Sequence, residues 1–173
     1  MPGSEKSTFL QKEAKTIKPE DGQLFRTLTE RSLVGIYVIQ DGLFKSVNPN
    51  AASYAGYAPE DMIGKESQAF VYPEDRALHR KSSYDMIKGT RTSPYEFRII
   101  DRTGKIRWFM ETVTPIIFKG RPALLGNCVD ITEYKKAEEA LRESERRLAD
   151  IIEFLPAATL AIDRQGKVIA WNR

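Results

Sequence analysis

Few side chains in this sequence could do chemistry on their own. The 173 residues include one histidine, His79, and one cysteine, Cys128. Nucleophilic catalysis needs a Ser, Cys or Thr with a base beside it, and metal chemistry needs several His, Cys or carboxylate ligands at fixed spacing. Neither pattern occurs: there is no GxSxG, no GxxxxGK[ST] phosphate loop and no cluster of His and Cys. Glu138 and Glu139 are adjacent on a charged helical stretch and read as solvated charge. No enzyme activity is expected of this chain.

Composition narrows the classes further. A single thiol excludes an intrachain disulfide and fits a reducing compartment, so the expected location is cytoplasmic. The net charge is +3, with basic residues interleaved with acids. Segments such as RALHRK (76–81) and KGTRTS (88–93) lack the continuous basic stripe of a nucleic-acid surface. No run approaches the roughly 18 apolar residues of a membrane span, and residues 1–22 lack the apolar core of a signal peptide. Neither a nucleic-acid partner nor membrane insertion is expected.

The elements that would position His79 and Cys128 follow from local pattern. Residues 1–22 are polar and read as a flexible extension, and Gln23–Arg31 reads as a flanking helix with Leu24, Phe25 and Leu28 on one face. GIYVIQDGLFKSVN (35–48) gives two short strands around Asp41-Gly42, a hairpin signal. NPNAASYAGY and APEDMIGK are small helical pieces broken by Pro and Gly. YPEDRALHRKSSYDMIKG (72–89) is a longer helix: Pro73, Glu74 and Asp75 suit its first turn, and Lys88-Gly89 its end. PYEFRIID, IRWFMETVTPIIF and ALLGNCVDI then form a three-stranded antiparallel meander with turns at RTGK and KGRP. Two strands, a cluster of helices and three strands predict an α+β fold with helices on one face of a sheet.

From Thr132 the pattern changes again. Tyr134, Ala137, Leu141, Ser144, Leu148, Ile151 and Leu155 recur at spacings of three and four. That is a heptad seam over about three heptads, enough for a marginal two-stranded coiled coil. A single amphipathic helix lying back on its own domain is the alternative. Asp130 or Thr132 can cap the helix, because their side-chain oxygens accept from the free amides of a first turn. Residues 24–48 also align without a gap on residues 148–172. Leu24 falls on Leu148, Ile36 on Leu160, Val38 on Ile162, Gly42 on Gly166 and Asn48 on Asn172. The segment 156–173 therefore reads as the truncated start of a second copy, cut from a longer protein.

In this order, GIYVIQDGLFKSVNPNAASYAGY, APEDMIGK, YPEDR, YEFRIIDRTGKIRWF and DIT (130–132) resemble the PAS family with its C-terminal PAC motif. The resemblance covers residues 23–132. It implies a five-stranded antiparallel sheet of order 2-1-5-4-3, helices on one face and a cavity between them. It also implies a role in sensing small molecules, light or redox state, or in dimerisation. DIT followed by a heptad helix looks like the signalling linker (133–155) that joins such domains to each other or to a histidine kinase. A homodimer and an output domain in a longer parent protein are the implied partners, with Asp130 and Thr132 fixing the joint. His79, inside the sensor fold, is not placed as a phosphoacceptor.

Similarity to flavin-binding relatives sets the phase of the strands, turning Phe97, Ile99, Phe109, Glu111, Val113, Gly126 and Cys128 inward, joined by Ile36 and Val38. A plain hydrophobic core explains nearly all of these except Glu111, since a buried carboxylate needs a partner. The opposite phase would turn Trp108 and Met110 inward and Glu111 outward. Flavin adduct chemistry is not expected: GKESQAFVYPED (64–75) lacks the reactive cysteine that light-sensing relatives carry there, and Cys128 lies on the last strand as a buried, inert thiol. Haem is the remaining cofactor alternative, because DRALH resembles the proximal helix of haem-binding relatives. His79, however, shares a helical face with Asp75 and Ser83 and reads as solvent-facing. A small ligand in the cavity, or none, is left as the expectation.

Overall fold

The computed structural model describes residue 27, residues 29–154 and residues 160–171. The expected N-terminal extension, part of the helix at 23–31, Leu155 and Asn172 lie outside them. The chain divides into two compact units, Met1–Ile131 and Thr132–Arg173.

The first unit is built on a five-stranded antiparallel sheet of order β2-β1-β5-β4-β3. Its strands are β1 (Gly35–Gln40), β2 (Leu43–Val47), β3 (Tyr95–Ile100), β4 (Ile106–Phe118) and β5 (Arg121–Asp130). Between β2 and β3 come the short helices α1 (Pro49–Tyr54) and α2 (Pro59–Met62), two 3-10 turns (Ser67–Ala69 and Pro73–Asp75) and the longer α3 (Arg76–Ile87). Their apolar sides, including Ala51, Ala52, Ala55, Met62 and Val71, join Tyr37, Phe97 and Phe109 of the sheet in one core. That arrangement is the α+β layering read from the sequence.

Local chemistry explains the main transitions. Asp41 and Gly42 both adopt positive φ (55° and 77°), the conformation that a two-residue hairpin turn demands. Asn48 ends the hairpin as a clasp. Its Oδ1 accepts from the backbone amides of Ile36 and Ala51, and its Nδ2 donates to the carbonyls of Thr29 and Val34. Pro49 follows it at the first position of α1, where its missing N–H costs nothing. At the start of α3 the outcome departs from expectation. Residues 73–75 form a 3-10 turn, and Asp75 does not cap the helix. Its carboxylate accepts instead from the Arg98 side chain at 2.6 and 3.0 Å and from the Arg98 amide at 2.8 Å.

The second unit contains α4 (Thr132–Glu153) and a hairpin of β6 (Leu160–Ile162) and β7 (Val168–Trp171). The turn of this hairpin is not a copy of the Asp41-Gly42 turn. Asp163 donates to the Lys167 carbonyl at 2.9 Å and accepts from Gly166 at 3.0 Å, and its carboxylate accepts from the amides of Gln165 and Lys167. Asp101 does the same with Lys105, Gly104 and the amides of Thr103 and Lys105. DRQGK (163–167) thus folds as DRTGK (101–105) does, with the aspartate carboxylate organising both turns.

Candidate functional site

The sheet and helices of the first unit enclose a cavity of about 60 Å³. A water molecule occupies about 30 Å³ of liquid and drug-sized ligands fill roughly 300–1,000 Å³, so this space suits a ligand of only a few non-hydrogen atoms. Its walls are almost wholly apolar, with Tyr37, Phe44, Ala55, Phe97 and Phe109 among them, and Ser67 and His79 at its polar edge.

Cross-strand register decides which side chains reach it. Directly opposed residues in an antiparallel ladder share a face. Cys128 opposes Gly35 and Glu111, and Gly126 opposes Tyr37 and Val113. Glu111 in turn opposes Tyr95, and Phe109 opposes Phe97. Phe97, Ile99, Phe109 and Cys128 line the cavity. Glu111 and Val113 lie on the same face, both buried, beyond its wall. The phase that would turn Trp108 and Met110 inward is therefore not adopted.

The first strand corrects the expectation. Ile36 and Val38 point to the opposite face, and Tyr37 and Ile39 line the cavity in their place. Once Gly126 and Cys128 face inward, the ladder forces their partners Tyr37 and Gly35 inward too. Gly35 and Gly126 are required by that packing. A Cβ at Gly35 would meet Cys128 Sγ at 2.6 Å, and one at Gly126 would fall 2.2 Å from the Tyr37 ring.

His79 also departs from expectation: it is 8% exposed. It does share a face with Asp75 and Ser83, but that face is the inner one. Ser83 Oγ lies 2.6 Å from the Tyr95 hydroxyl, and Asp75 holds Arg98. Polar partners brought by β3 and β4 make a polar helix face buriable, whereas Leu78 and Tyr84 stay exposed. The His79 ring packs edge-on to Phe97 with 4.5 Å between centroids. Its Nε2 lies 3.1 Å from Glu111 Oε2 and its Nδ1 lies 3.1 Å from Gln68 Nε2. Burial pushes the Glu111 carboxyl up to about 8 and pulls His79 down to about 4. Sequence reading missed Gln68 altogether, since nothing in its neighbourhood marks a glutamine as a half-buried partner.

These positions do not fit the two cofactors considered. Both imidazole nitrogens are engaged, leaving none for a haem iron, and the cavity is far smaller than a porphyrin. Cys128 cannot serve a flavin adduct, because burial and the nearby Glu111 and Asp130 carboxylates raise its thiol well above the usual range. Among the described residues no group of three or more His, Cys, Asp or Glu could hold a metal.

At the C-terminal edge of the first unit, Arg107 bridges two carboxylates. Its Nε donates to Asp101 Oδ2 at 2.9 Å and its Nη1 to Asp130 Oδ2 at 3.2 Å. Asp101 is held well below the usual carboxylate range, first by the Thr103 hydroxyl bond and then by Arg107 and backbone amides. Asp130 directly opposes Phe109, and the Ile131 amide donates to the Trp108 carbonyl at 2.9 Å. Arg107 was missed in the sequence, although an arginine two residues beyond the DRTGK turn was a usable signal. Thr132 opens α4, where Tyr134, Ala137, Leu141, Ser144, Leu148 and Ile151 are all exposed. No helix among the described residues is long and apolar enough to cross a membrane.

Residues 44–125 match the PAS fold family. Over 84 residues the chain is 33% identical to a blue-light-activated histidine kinase of Brucella anthropi, a match that covers 48% of this chain and 17% of that kinase. Solved structures share the fold. A PAS domain from Colwellia psychrerythraea superposes with a TM-score of 0.58 at 20% identity, covering 64% of this chain and 97% of that one. A sensory box histidine kinase/response regulator from Burkholderia thailandensis gives 0.55 at 23% identity, over 74% and 97%.

Proposed function

We propose that this chain carries a PAS domain, on its match to that fold family over residues 44–125, and that it is a sensory module whose cavity takes a small, uncharged, largely apolar ligand. The domain passes the occupied state through Asp130 to α4. That helix pairs with its counterpart in a second copy and leads to an output domain, of the histidine kinase kind, in a longer parent protein. The β6–β7 hairpin opens a second domain of the same family. A reducing, cytoplasmic location fits the free thiol of Cys128.

One observation carries this reading: the cavity-wall residue Phe109 is the direct cross-strand partner of Asp130, the last residue of β5. A ligand that displaces the Phe109 ring acts on the residue pair from which the chain leaves the sheet. The ligand class follows from the walls. A charged molecule would be buried without a counter-ion, at a cost of several kcal/mol or more.

The test is thermal stability of the whole chain against a panel of short alcohols, ketones and dissolved gases, with native mass spectrometry for bound mass. Ligand binding to the folded state raises its apparent stability. Ala55→Val fills much of the cavity and is expected to abolish any shift. A second reading, an assembly module that only dimerises its parent, is favoured by the small cavity volume. It predicts no shift across the panel together with a concentration-independent dimer.

A further inference from the structure

Among the described residues, one buried side-chain nitrogen or oxygen has no hydrogen-bond partner, Oε1 of Gln68. Its neighbour Nε2 points at His79 Nδ1, and His79 Nε2 points at Glu111 Oε2. With a neutral imidazole, donors and acceptors along this chain can be arranged in two ways. In one, Gln68 donates to Nδ1, Nε2–H donates to an ionised Glu111, and Oε1 is left bare. In the other, the Gln68 amide is turned over, so that Oε1 accepts from Nδ1–H, and a protonated Glu111 donates to Nε2. Both occupy the same heavy-atom positions, because amide oxygen and nitrogen exchange in place.

The second arrangement leaves no buried charge, which an apolar interior penalises, and it gives the Glu111 carboxyl proton an acceptor at His79 Nε2; the unpartnered amide atom becomes Nε2 of Gln68 in place of Oε1. The surroundings do not favour an ion pair either. The ionisable groups nearest the pair are Tyr95 from β3, Cys128 from β5 and Asp75 from the turn before α3. Tyr54 of α1 and Asp130 of β5 act on Cys128 or beside it. None of these brings a positive charge, and Arg98 is already committed to Asp75.

We propose that Glu111 holds a proton at neutral pH and donates it to His79 Nε2, and that release of one proton switches the imidazole tautomer and turns the Gln68 amide. The step balances. The carboxyl proton crosses to Nε2, the Nδ1 proton leaves to solvent, and Gln68 donates to the bared Nδ1. One negative charge then sits on β4, two residues from Phe109, while the His79 ring forms part of the cavity wall. The switch spans the Ser67–Ala69 turn, α3 and β4, and it does not depend on what occupies the cavity.

His79 is the one histidine in the chain, so nitrogen-15 labelling of histidine gives a single imidazole to observe without mutation. The expected result is a neutral ring protonated at Nδ1 at neutral pH, converting to the Nε2-protonated form as pH rises through about 8. In Glu111→Gln the ring is expected to stay Nδ1-protonated throughout. An imidazolium or an Nε2-protonated ring at neutral pH would overturn the proposal, and so would a tautomer that never changes. If Glu111→Gln does not fold, infrared spectra of the wild-type protein decide. The carbonyl band of a protonated carboxyl must be present at neutral pH and vanish over the same pH range as the tautomer change.

Discussion

The Tyr37 ring fills the space that a side chain at Gly126 would need, with ring carbons 2.2 Å from the ideal Cβ position. β1 and β5 therefore pair at this register without displacing the Tyr37 ring only while position 126 stays bare. Gly126→Ala is expected to destabilise the domain by about 1–3 kcal/mol through overpacking. Tyr37→Leu combined with Gly126→Ala is expected to cost less than the two single changes summed, because the pair is coupled. Urea unfolding midpoints of the four proteins give the coupling, and strict additivity would contradict the packing described.

The His79–Glu111 pair makes stability depend on pH in a definite direction. Glu111 has a folded pKa of about 8 against 4.5 unfolded, so its stabilising contribution is present below about 4.5 and is lost as pH rises through 8. His79 has a folded pKa of about 4 against 6.5, so its contribution is present above about 6.5 and is lost as pH falls through 4. Between about 4.5 and 6.5 the two slopes oppose each other. Between about 6.5 and 8 only the Glu111 slope remains, and stability is expected to fall. Denaturation midpoints across that window should decline in the wild type and run flat in Glu111→Gln.

The two aspartate turns offer a paired comparison. Asp101 is buried and accepts from the Thr103 amide and hydroxyl, the Lys105 amide and Arg107. Asp101→Ala strands those donors and is expected to cost roughly 2–3 kcal/mol. Asp163→Ala removes the same kind of turn in the second unit and is expected to leave the main unfolding transition where it is. Equal losses from the two substitutions would count against the division into units.

Leu141 and Leu148 are 62% and 58% exposed on α4, at two of the stronger seam positions. Replacing each with Gln is expected to weaken a coil-mediated dimer by at least about 1.5 kcal/mol per site, roughly tenfold each. Sedimentation velocity at several concentrations reads this directly. An unaltered dimer would place the interface elsewhere, such as on the outer face of the sheet.

Features encoded over a few neighbouring residues were legible in the sequence. Asp41-Gly42 announced its hairpin, Lys88-Gly89 the end of α3, and the alternation from Tyr95 to Ile100 its strand. Features that depend on distant partners were not. The facing of Ile36 and Val38 is set by pairing with Asn127 and Leu125, some ninety positions away. The burial of His79 rests on Glu111 and Tyr95, which make a polar helix face acceptable to the interior. Asn48 looked like a hairpin terminus and proved to hold four backbone groups from three segments. Glu111, the one carboxylate that no apolar core could explain, was the clearest sign of a polar cluster, although its partner could not be named.

Gly35 and Cys128 sit side by side, because the first strand of the domain pairs with the last. The backbone therefore enters and leaves this sheet through neighbouring doorways. Such a body can be spliced into a longer chain as a side loop or threaded in series without separating the flanks that it joins. Lateral movement of β5 against β1 also changes the spacing between those flanks directly.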